Sequence, residues 1–168
     1  MIFQAKRDTA SYLKELAAAG KITYTLVATG LFYDHELPYP PAGISVKEAT
    51  ATIPGTGEEK LSLTHREDIG RFVAAILKKP EATKNTIIRV AGDTTTPNKL
   101  IKLYEKQLGK KFNVTYRPAD EIDRVAQEGL KSGDLGAYFG NRIPLFQGTG
   151  RTQIDRPTEV ISIILRIY

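Results

Sequence analysis

The sequence predicts an α/β layered fold with a mainly parallel sheet. Short runs rich in β-branched residues alternate with longer stretches whose apolar residues recur every three or four positions. Glycine or proline stands at most of the boundaries between them, where chain direction changes. Strands that alternate with helices are typical of a parallel sheet with helical crossovers, which are right-handed almost by rule.

The first two elements are predicted to be a helix and a strand. Asp8 or Thr9 can cap the helix, which extends to about Ala19 and ends at Gly20. Its apolar residues at helical spacing are Ala10, Leu13, Leu16 and Ala17. The run from Thr23 to Ala28 is apolar and β-branched, which predicts a strand covered on both faces.

A loop and two further strands follow. The prolines between residues 38 and 41 predict the loop. Apolar residues alternate with polar ones in Ala49 to Ile53 and in Lys60 to Thr64, which predicts two strands. The segment Pro54-Gly-Thr-Gly57 predicts a turn between these two strands.

The next helix has the clearest signals at both ends. Thr64-His-Arg-Glu67 fits a capping box, in which the threonine hydroxyl and the glutamate carboxylate each bind a free backbone amide. Pro80 ends the helix. The predicted buried stripe consists of Ile69, Phe72, Val73, Ile76 and Leu77.

Two more strand and helix pairs are predicted. Ile87 to Ala91 is a strand, and Thr96 then caps a helix that has Pro97 at its first position and ends at Gly109. Asn113 to Arg117 is a strand, and a helix follows from Asp120 to about Leu130.

The last part of the sequence gives weaker signals. Ser132 to Thr152 contains five glycines and is predicted to be loop-like. Glu159 to Leu165 is apolar on all sides, and Pro157 could start it as a helix.

Composition excludes several classes of protein. The 168 residues are 41% hydrophobic and 26% charged, as in a globular domain, and the +5 net charge is scattered, which argues against nucleic-acid binding. Without cysteine there is no disulfide or thiolate metal site, and two histidines are too few for an ordinary zinc cluster, so no metal is expected. No apolar run approaches a membrane span and no signal peptide is evident. We therefore expect a soluble, cytoplasmic protein.

Common catalytic and phosphate-binding motifs are also missing. The two GxG segments, Gly55 to Gly57 and Gly148 to Gly150, do not lie between a strand and a helix, so they predict turns and not dinucleotide loops. Neither a Walker motif nor Tyr-x-x-x-Lys is present. Hydrolase chemistry through His35 or His65 is possible on paper, but His65 is better explained as an exposed residue in the first turn of a helix.

Lys6 is the residue with the most informative surroundings. It opens a helix that leads into a strand ending in Thr29-Gly-Leu-Phe32. A lysine near a helix start is usually solvated. When desolvated or placed beside another cation, its amine can lose the proton and act as a base, and when protonated it can donate to a substrate oxygen.

From about Phe3 to Gln153 the chain resembles the NmrA-like family of atypical short-chain dehydrogenases, which includes isoflavone reductase-like proteins. Each matching stretch is modest alone, and their order and spacing carry the resemblance. The stretches are Phe3 to Lys6, Tyr24 to Phe32, Ile53 to Gly57, His65 to Val73, Asn85 to Gly92 and the Thr-Pro-Asn segment that begins at Thr96.

The resemblance implies a partial Rossmann-type, mainly parallel sheet with a smaller C-terminal α/β substrate lobe. Residues 1–168 would form one NmrA-like domain, with 1–32 and 65–95 in the sheet-and-helix portion and 33–64 and 96–168 in the substrate lobe. It also implies that Lys6 is catalytic and that Thr29, Gly30 and Phe32 bind the nicotinamide cofactor, which would be NADP(H) or NAD(H).

The same resemblance implies an N-terminal half, with a Gly-rich phosphate loop, that these residues do not include. The chain would then be truncated, and the strand at Thr23 would have an exposed apolar edge available for a protein partner or for self-association. Three functions stay open. They are an NAD(P)H-dependent reductase of a small organic substrate, a non-enzymatic NAD(P)-sensing regulator that binds a transcription factor, and a cofactor-free interaction module.

Overall fold

The structure is a computed structural model that describes residues 3–32 and 43–154. Within these residues, six helices and eight strands form a mixed α/β fold. The helices are α1 (Gln4–Ala18), α2 (Arg66–Leu77), α3 (Pro80–Thr83), α4 (Pro97–Leu108), α5 (Ala119–Ser132) and α6 (Leu135–Gly148). The strands are β1 (Thr25–Ala28), β2 (Leu31–Phe32), β3 (Ile44–Ser45), β4 (Thr50–Pro54), β5 (Leu61–Thr64), β6 (Thr86–Arg89), β7 (Asp93–Thr95) and β8 (Asn113–Arg117).

The described residues divide into two compact units. The first contains 3–29 and 67–90, and the second contains 30–32, 43–66 and 91–154. In the first unit β1 and β6 pair in parallel, and the Val90 amide extends the ladder by donating to the Ala28 carbonyl at 2.8 Å. A small core of Ala75, Ile76, Ile88 and Val90 lies between this pair and α2.

The second unit contains two three-stranded sheets. In one, β5 lies between β2, which is parallel to it, and β7, which is antiparallel. In the other, β4 lies between β3, which is antiparallel, and β8, which is parallel. Three of the five strand pairs in the described residues are therefore parallel. The core of this unit is made of Ile44, Ala51, Ile53, Leu61, Leu63, Leu100, Ile101 and Phe112.

Local chemistry explains the elements that were predicted well. The Thr96 hydroxyl accepts from the Lys99 amide at 3.3 Å, and Pro97 occupies the first turn of α4, where its missing amide costs nothing. Gly109 ends α4 in the left-handed conformation. At the end of α1, the Lys21 amide binds the Leu16 carbonyl across Gly20, whose φ is 69°.

Three predictions about α1, β1 and the residue before α2 were wrong in detail. Helix α1 begins at Gln4, before the expected caps, and Phe3 precedes it with no side-chain cap. The β1 strand is half-buried and Ala28 is exposed, so it is not covered on both faces by the described residues. His65 is half-buried ahead of α2, so the expected exposed position was wrong.

The predicted stripe on α2 is only partly buried. Ile76 is buried, Ile69 and Phe72 are half-buried, and Val73 and Leu77 are exposed. Periodicity showed which side chains share a face, but burial depends on what covers that face.

The largest error was the loop expected between Ser132 and Thr152, because most of it is the helix α6. The Asp134 carboxylate accepts from the Ala137 amide at 2.9 Å and caps the helix. Gly129 of α5 allows close packing, since a side chain there would lie 2.9 Å from the Tyr138 amide nitrogen. Tertiary packing therefore overcomes the weak helix propensity of the glycines.

The strands Ala49 to Ile53 and Lys60 to Thr64 were placed correctly, but they pair in different sheets. All four residues of β5 are buried, so its polar residues are covered as well as its apolar ones. The strands β2, β3 and β7, each of two or three residues, were not predicted. The proline loop at 38–41, His35 and the apolar segment at 159–165 lie outside the described residues.

Candidate active site

Lys6 lies on the first turn of α1 and is exposed. Its ammonium nitrogen is 5.7 Å from the centroid of the Phe3 ring, within the range of a cation–π contact. No residue of α1 is buried among the described residues. The part of the chain that the structure describes therefore leaves the Lys6 ammonium exposed.

Thr29 follows β1 at the carboxyl end of the parallel pair formed with β6. It is half-buried, and β1 and β6 end side by side because Ala28 pairs with Arg89. In open α/β sheets, ligands bind beyond the carboxyl ends of parallel strands. Thr29 thus stands where such a site would lie in the first unit.

Gly30 begins the second unit and packs closely on β5. Its φ is 66°, and an added side chain would place Cβ 2.5 Å from the Ser62 carbonyl oxygen. Only glycine satisfies both the backbone conformation and this close approach. The requirement for glycine at position 30 is therefore explained by the packing of its main chain on β5.

Phe32 ends the short strand β2, where it pairs in parallel with Thr64 of β5. Its side chain is half-buried. The structure thus brings Gly30 and Phe32 together with the last residues of β5. Lys6 and Thr29 belong to the first unit, and Gly30 and Phe32 to the second.

Two buried residues of β5 that carry hydroxyl groups were not identified from the sequence. Ser62 and Thr64 are both 0% exposed. The Ser62 hydroxyl accepts from the Ile154 amide at 2.9 Å and lies 3.4 Å from the Thr94 hydroxyl, while the Thr64 hydroxyl accepts from the Gly92 amide at 3.3 Å. The alternation in Leu61-Ser-Leu-Thr64 indicated a polar face, but not that this face is covered. These hydroxyls hold β5 against its neighbours.

The described residues contain no cradle for a pyrophosphate. Gly55 and Gly57 have φ values of 76° and 77°, as expected for turns, and the turn leads to β5 and not to a helix. The chain's own side chains fill it, since a Cβ on Gly57 would lie 2.4 Å from Asn98 Oδ1 and one on Gly55 would lie 3.0 Å from Glu59 Oε1. The turn from Gly55 to Gly57 therefore has no open space for a phosphate group.

Two carboxyl groups in the second unit have a lowered pKa. Burial raises the pKa of Glu59, but hydrogen bonds from its own amide, from the amide and hydroxyl of Thr56 and from the Gly57 amide outweigh it. The pKa of Glu105 is lowered by the Phe112 amide at 3.0 Å and then by the Lys111 ammonium at 3.1 Å. Each carboxylate accepts a hydrogen bond from a backbone amide, so both stabilise the local fold.

Two grooves lie away from the strand ends. In the first unit, a groove of about 390 Å³ is lined by Thr25, Val73 and Leu77 among others, toward the amino end of β1 and so opposite Thr29. In the second, lysines around Gly109 line a shallow groove of about 460 Å³.

Neither a metal site nor a membrane span is found in the described part of the chain. Across residues 3–32 and 43–154, no three histidine, aspartate or glutamate side chains are placed to hold a metal ion. Over the same residues, no helix is long and apolar enough to cross a bilayer.

Curated relatives include oxidoreductases and reductases. The chain is 30% identical over 127 residues to an NmrA-like family domain-containing oxidoreductase of Gibberella moniliformis, which covers 75% of this chain and 42% of that protein. It is 26% identical over 121 residues to isoflavone reductase homolog P3 of Arabidopsis thaliana, covering 69% of this chain and 39% of that protein. The chain thus spans about two fifths of the length of these relatives.

Solved structures have a similar fold at low identity. An isoflavone reductase crystal structure matches 94% of this chain and 51% of its own, with 22% identity and a TM-score of 0.67. The leucoanthocyanidin reductase–NADPH complex from Vitis vinifera matches 88% of this chain and 48% of its own, with 18% identity and a TM-score of 0.62. These likenesses show the expected α/β fold of Rossmann type.

The family itself follows from a broader match. A model of the NmrA-like family matches residues 1–132, which is more than half of the chain and includes Lys6 and the segment from Thr29 to Phe32. This chain belongs to the NmrA-like family.

Proposed function

We propose that this chain is part of an NAD(P)H-dependent reductase that acts on a small organic substrate. The observation that carries the proposal is the family match, which includes Lys6 and the segment from Thr29 to Phe32, with Thr29 at the carboxyl end of the parallel pair formed by β1 and β6. The oxidoreductase names of the relatives support the same reaction class.

In this proposal, Thr29, Gly30 and Phe32 line the nicotinamide side of the site. The bound cofactor, NADP(H) or NAD(H), would supply the hydride. Lys6 would donate a proton to the substrate oxygen, or accept one in the reverse direction. Binding the cofactor's phosphates requires backbone amides beyond those of the described residues.

A chimera provides the test. The upstream half of the Gibberella moniliformis relative is joined to residues 1–168, and NADPH oxidation is followed with a panel of small carbonyl, quinone and alkene substrates. Lys6→Ala should lower kcat by about 100-fold or more, the usual contribution of general acid catalysis, while NADPH affinity changes little. Lys14→Ala is the matched control, since Lys14 is an exposed lysine on the same helix.

An unchanged kcat in Lys6→Ala would remove this lysine from the mechanism. Equal losses in Lys6→Ala and Lys14→Ala would mean that both act through the stability of α1. Either result contradicts the proposed role.

The exposure of Lys6 favours a second candidate, a non-enzymatic NAD(P)-sensing regulator that binds a transcription factor. In that case the chimera would bind NADPH without oxidising it on any substrate. A chimera that binds no nicotinamide cofactor at all would support the third reading, a cofactor-free interaction module. A protein partner or self-association at the strand edge of β1 stays a prediction.

A further inference from the structure

Helix α4 carries a row of lysines on its exposed face. Lys99, Lys102 and Lys106 are exposed and follow each other at intervals of three and four residues, so they lie on one side of the helix. The groove of about 460 Å³ in the second unit continues this row, and the lysines that line it are Lys102, Lys106, Lys110 and Lys111. These five lysines of the segment 99–111 together form what we call the lysine surface.

Little negative charge offsets the lysine surface. Glu105 is the one acidic residue among those that line the groove. Its carboxylate already accepts from the Phe112 amide at 3.0 Å and pairs with the Lys111 ammonium at 3.1 Å. Within residues 3–32 and 43–154, no carboxylate forms an ion pair with the four other lysines of this surface. These lysines therefore repel one another, since like charges three or four residues apart on a helix are destabilising.

The helix dipole explains only part of this arrangement. Lys106 is in the last turn of α4, where a cation complements the negative end of the helix. Lys99 is in the first turn, where the same dipole disfavours a cation. Helix stability alone therefore does not explain the whole row, whereas an anion bound across it would relieve the repulsion along its full length.

The length of the row and one apolar side chain within it indicate the shape of that anion. Lys99 and Lys106 are about 10 Å apart along the helix axis, which is the reach of about three residues of extended chain. Leu103 is 52% exposed and lies on the same face, four residues after Lys99 and three before Lys106. The surface therefore suits an extended chain with acidic and apolar side chains better than a single small anion.

We propose that the lysine surface binds an acidic, extended segment of a partner protein, with its carboxylates on the lysines and an apolar side chain on Leu103. A single-stranded nucleic acid fits less well, because it needs exposed aromatic rings on which bases stack. Tyr104, the aromatic residue of α4, is half-buried and stacks on Phe112 with 6.2 Å between the ring centroids. A membrane fits less well because it needs a wide apolar face, and Leu103 is the apolar residue between these lysines.

Binding of a fluorescein-labelled peptide that repeats Glu-Glu-Leu to the full chain, followed by fluorescence anisotropy, provides the test. Lys102→Gln with Lys106→Gln should weaken binding at least about fivefold, because two ion pairs with the peptide are lost. Lys60→Gln with Lys131→Gln is the matched control, since it removes the same charge from exposed lysines of the same unit. Lys131 is also in the last turn of its helix, as Lys106 is. The control should change binding by less than about twofold.

A third variant tests the surface at two other lysines. Lys99→Gln with Lys110→Gln should also weaken binding at least about fivefold, and a peptide that repeats Gln-Gln-Leu should not bind. Equal losses in the lysine-surface and control variants would mean that only net charge matters and would overturn the proposal. It would also be overturned if the wild-type chain did not bind the Glu-Glu-Leu peptide, or if it bound oligothymidine or phosphatidylserine vesicles more tightly than that peptide.

Discussion

The two compact units differ in how completely they cover their own elements. In the second unit, seven buried residues from two sheets and α4 form one core together with Phe112, and every residue of β5 is buried. In the first, the core has four buried residues, α1 buries none and β1 is half-exposed. Lys6 and Thr29 belong to the thinly packed unit, whereas Gly30 and Phe32 belong to the well-packed one.

The residues proposed for the site therefore differ in how firmly the described part of the chain holds them. Gly30 and Phe32 are held by backbone pairing with β5. Lys6 stands on a helix that has no buried residue among the described residues. Among the described residues, no strand pairs with the second edge of β1.

Core truncation should show the largest contrast. Ile53 is 0% exposed, so Ile53→Ala should lower the free energy of unfolding of the second unit by about 4 kcal/mol. Leu13→Ala on α1 removes a half-buried side chain and should cost about 1 kcal/mol or less. Denaturant unfolding of both variants checks this. Similar losses would mean that α1 is covered as well as β4.

Gly30→Ala should have the next largest effect. The added Cβ meets the Ser62 carbonyl at 2.5 Å in a conformation with φ of 66°, so we expect a loss of about 3 kcal/mol. Gly109→Ala is the control, because Gly109 has a φ of 63° in the same unit and no atom within 4 Å of the added Cβ. It should cost about 1 kcal/mol. Equal shifts in the unfolding midpoint would remove the close-packing argument.

Acid should weaken the turn at Glu59 by a smaller amount. Because the folded state lowers the Glu59 pKa from 4.5, its stabilisation is complete above that value and is lost as pH falls through the lower folded pKa. The carboxylate is only half-buried, so solvent screening limits the contribution to about 0.5 kcal/mol. Comparing melting temperatures of wild type and Glu59→Gln at pH 6 and pH 3 measures it. The difference in melting temperature between the two proteins should be smaller at pH 3 than at pH 6. An equal difference at both pH values would contradict the stabilising role of the Glu59 carboxylate.

Local sequence signals predicted helices better than sheet organisation. Helix α4 was located at both ends because Thr96, Pro97 and Gly109 act through nearby backbone groups. Helix α6 was missed because its cap at Asp134 lies among glycines, and its stability depends on packing against α5. Strand partners depend on distant residues, so the separation of β4 and β5 into two sheets could not be predicted.

In the candidate site, too, local features could be predicted from the sequence, but contacts between distant residues could not. The need for glycine at position 30 could be suspected from the sequence, but its cause is the Ser62 carbonyl, 32 residues away along the chain. The burial of Ser62 and Thr64 was hidden because alternation shows which residues share a face and not what covers it. The exposure of Lys6, by contrast, agrees with the expectation that a lysine near a helix start is solvated.

One measurement tests the proposed site most directly: hydrogen–deuterium exchange of the chimera with and without NADPH. If Thr29, Gly30 and Phe32 line the nicotinamide side, amides of residues 27–32 should exchange about tenfold more slowly with NADPH bound. Amides of β8, residues 113–117, serve as the internal reference and should not change. Unchanged exchange at 27–32 under conditions where calorimetry shows NADPH bound would contradict the site.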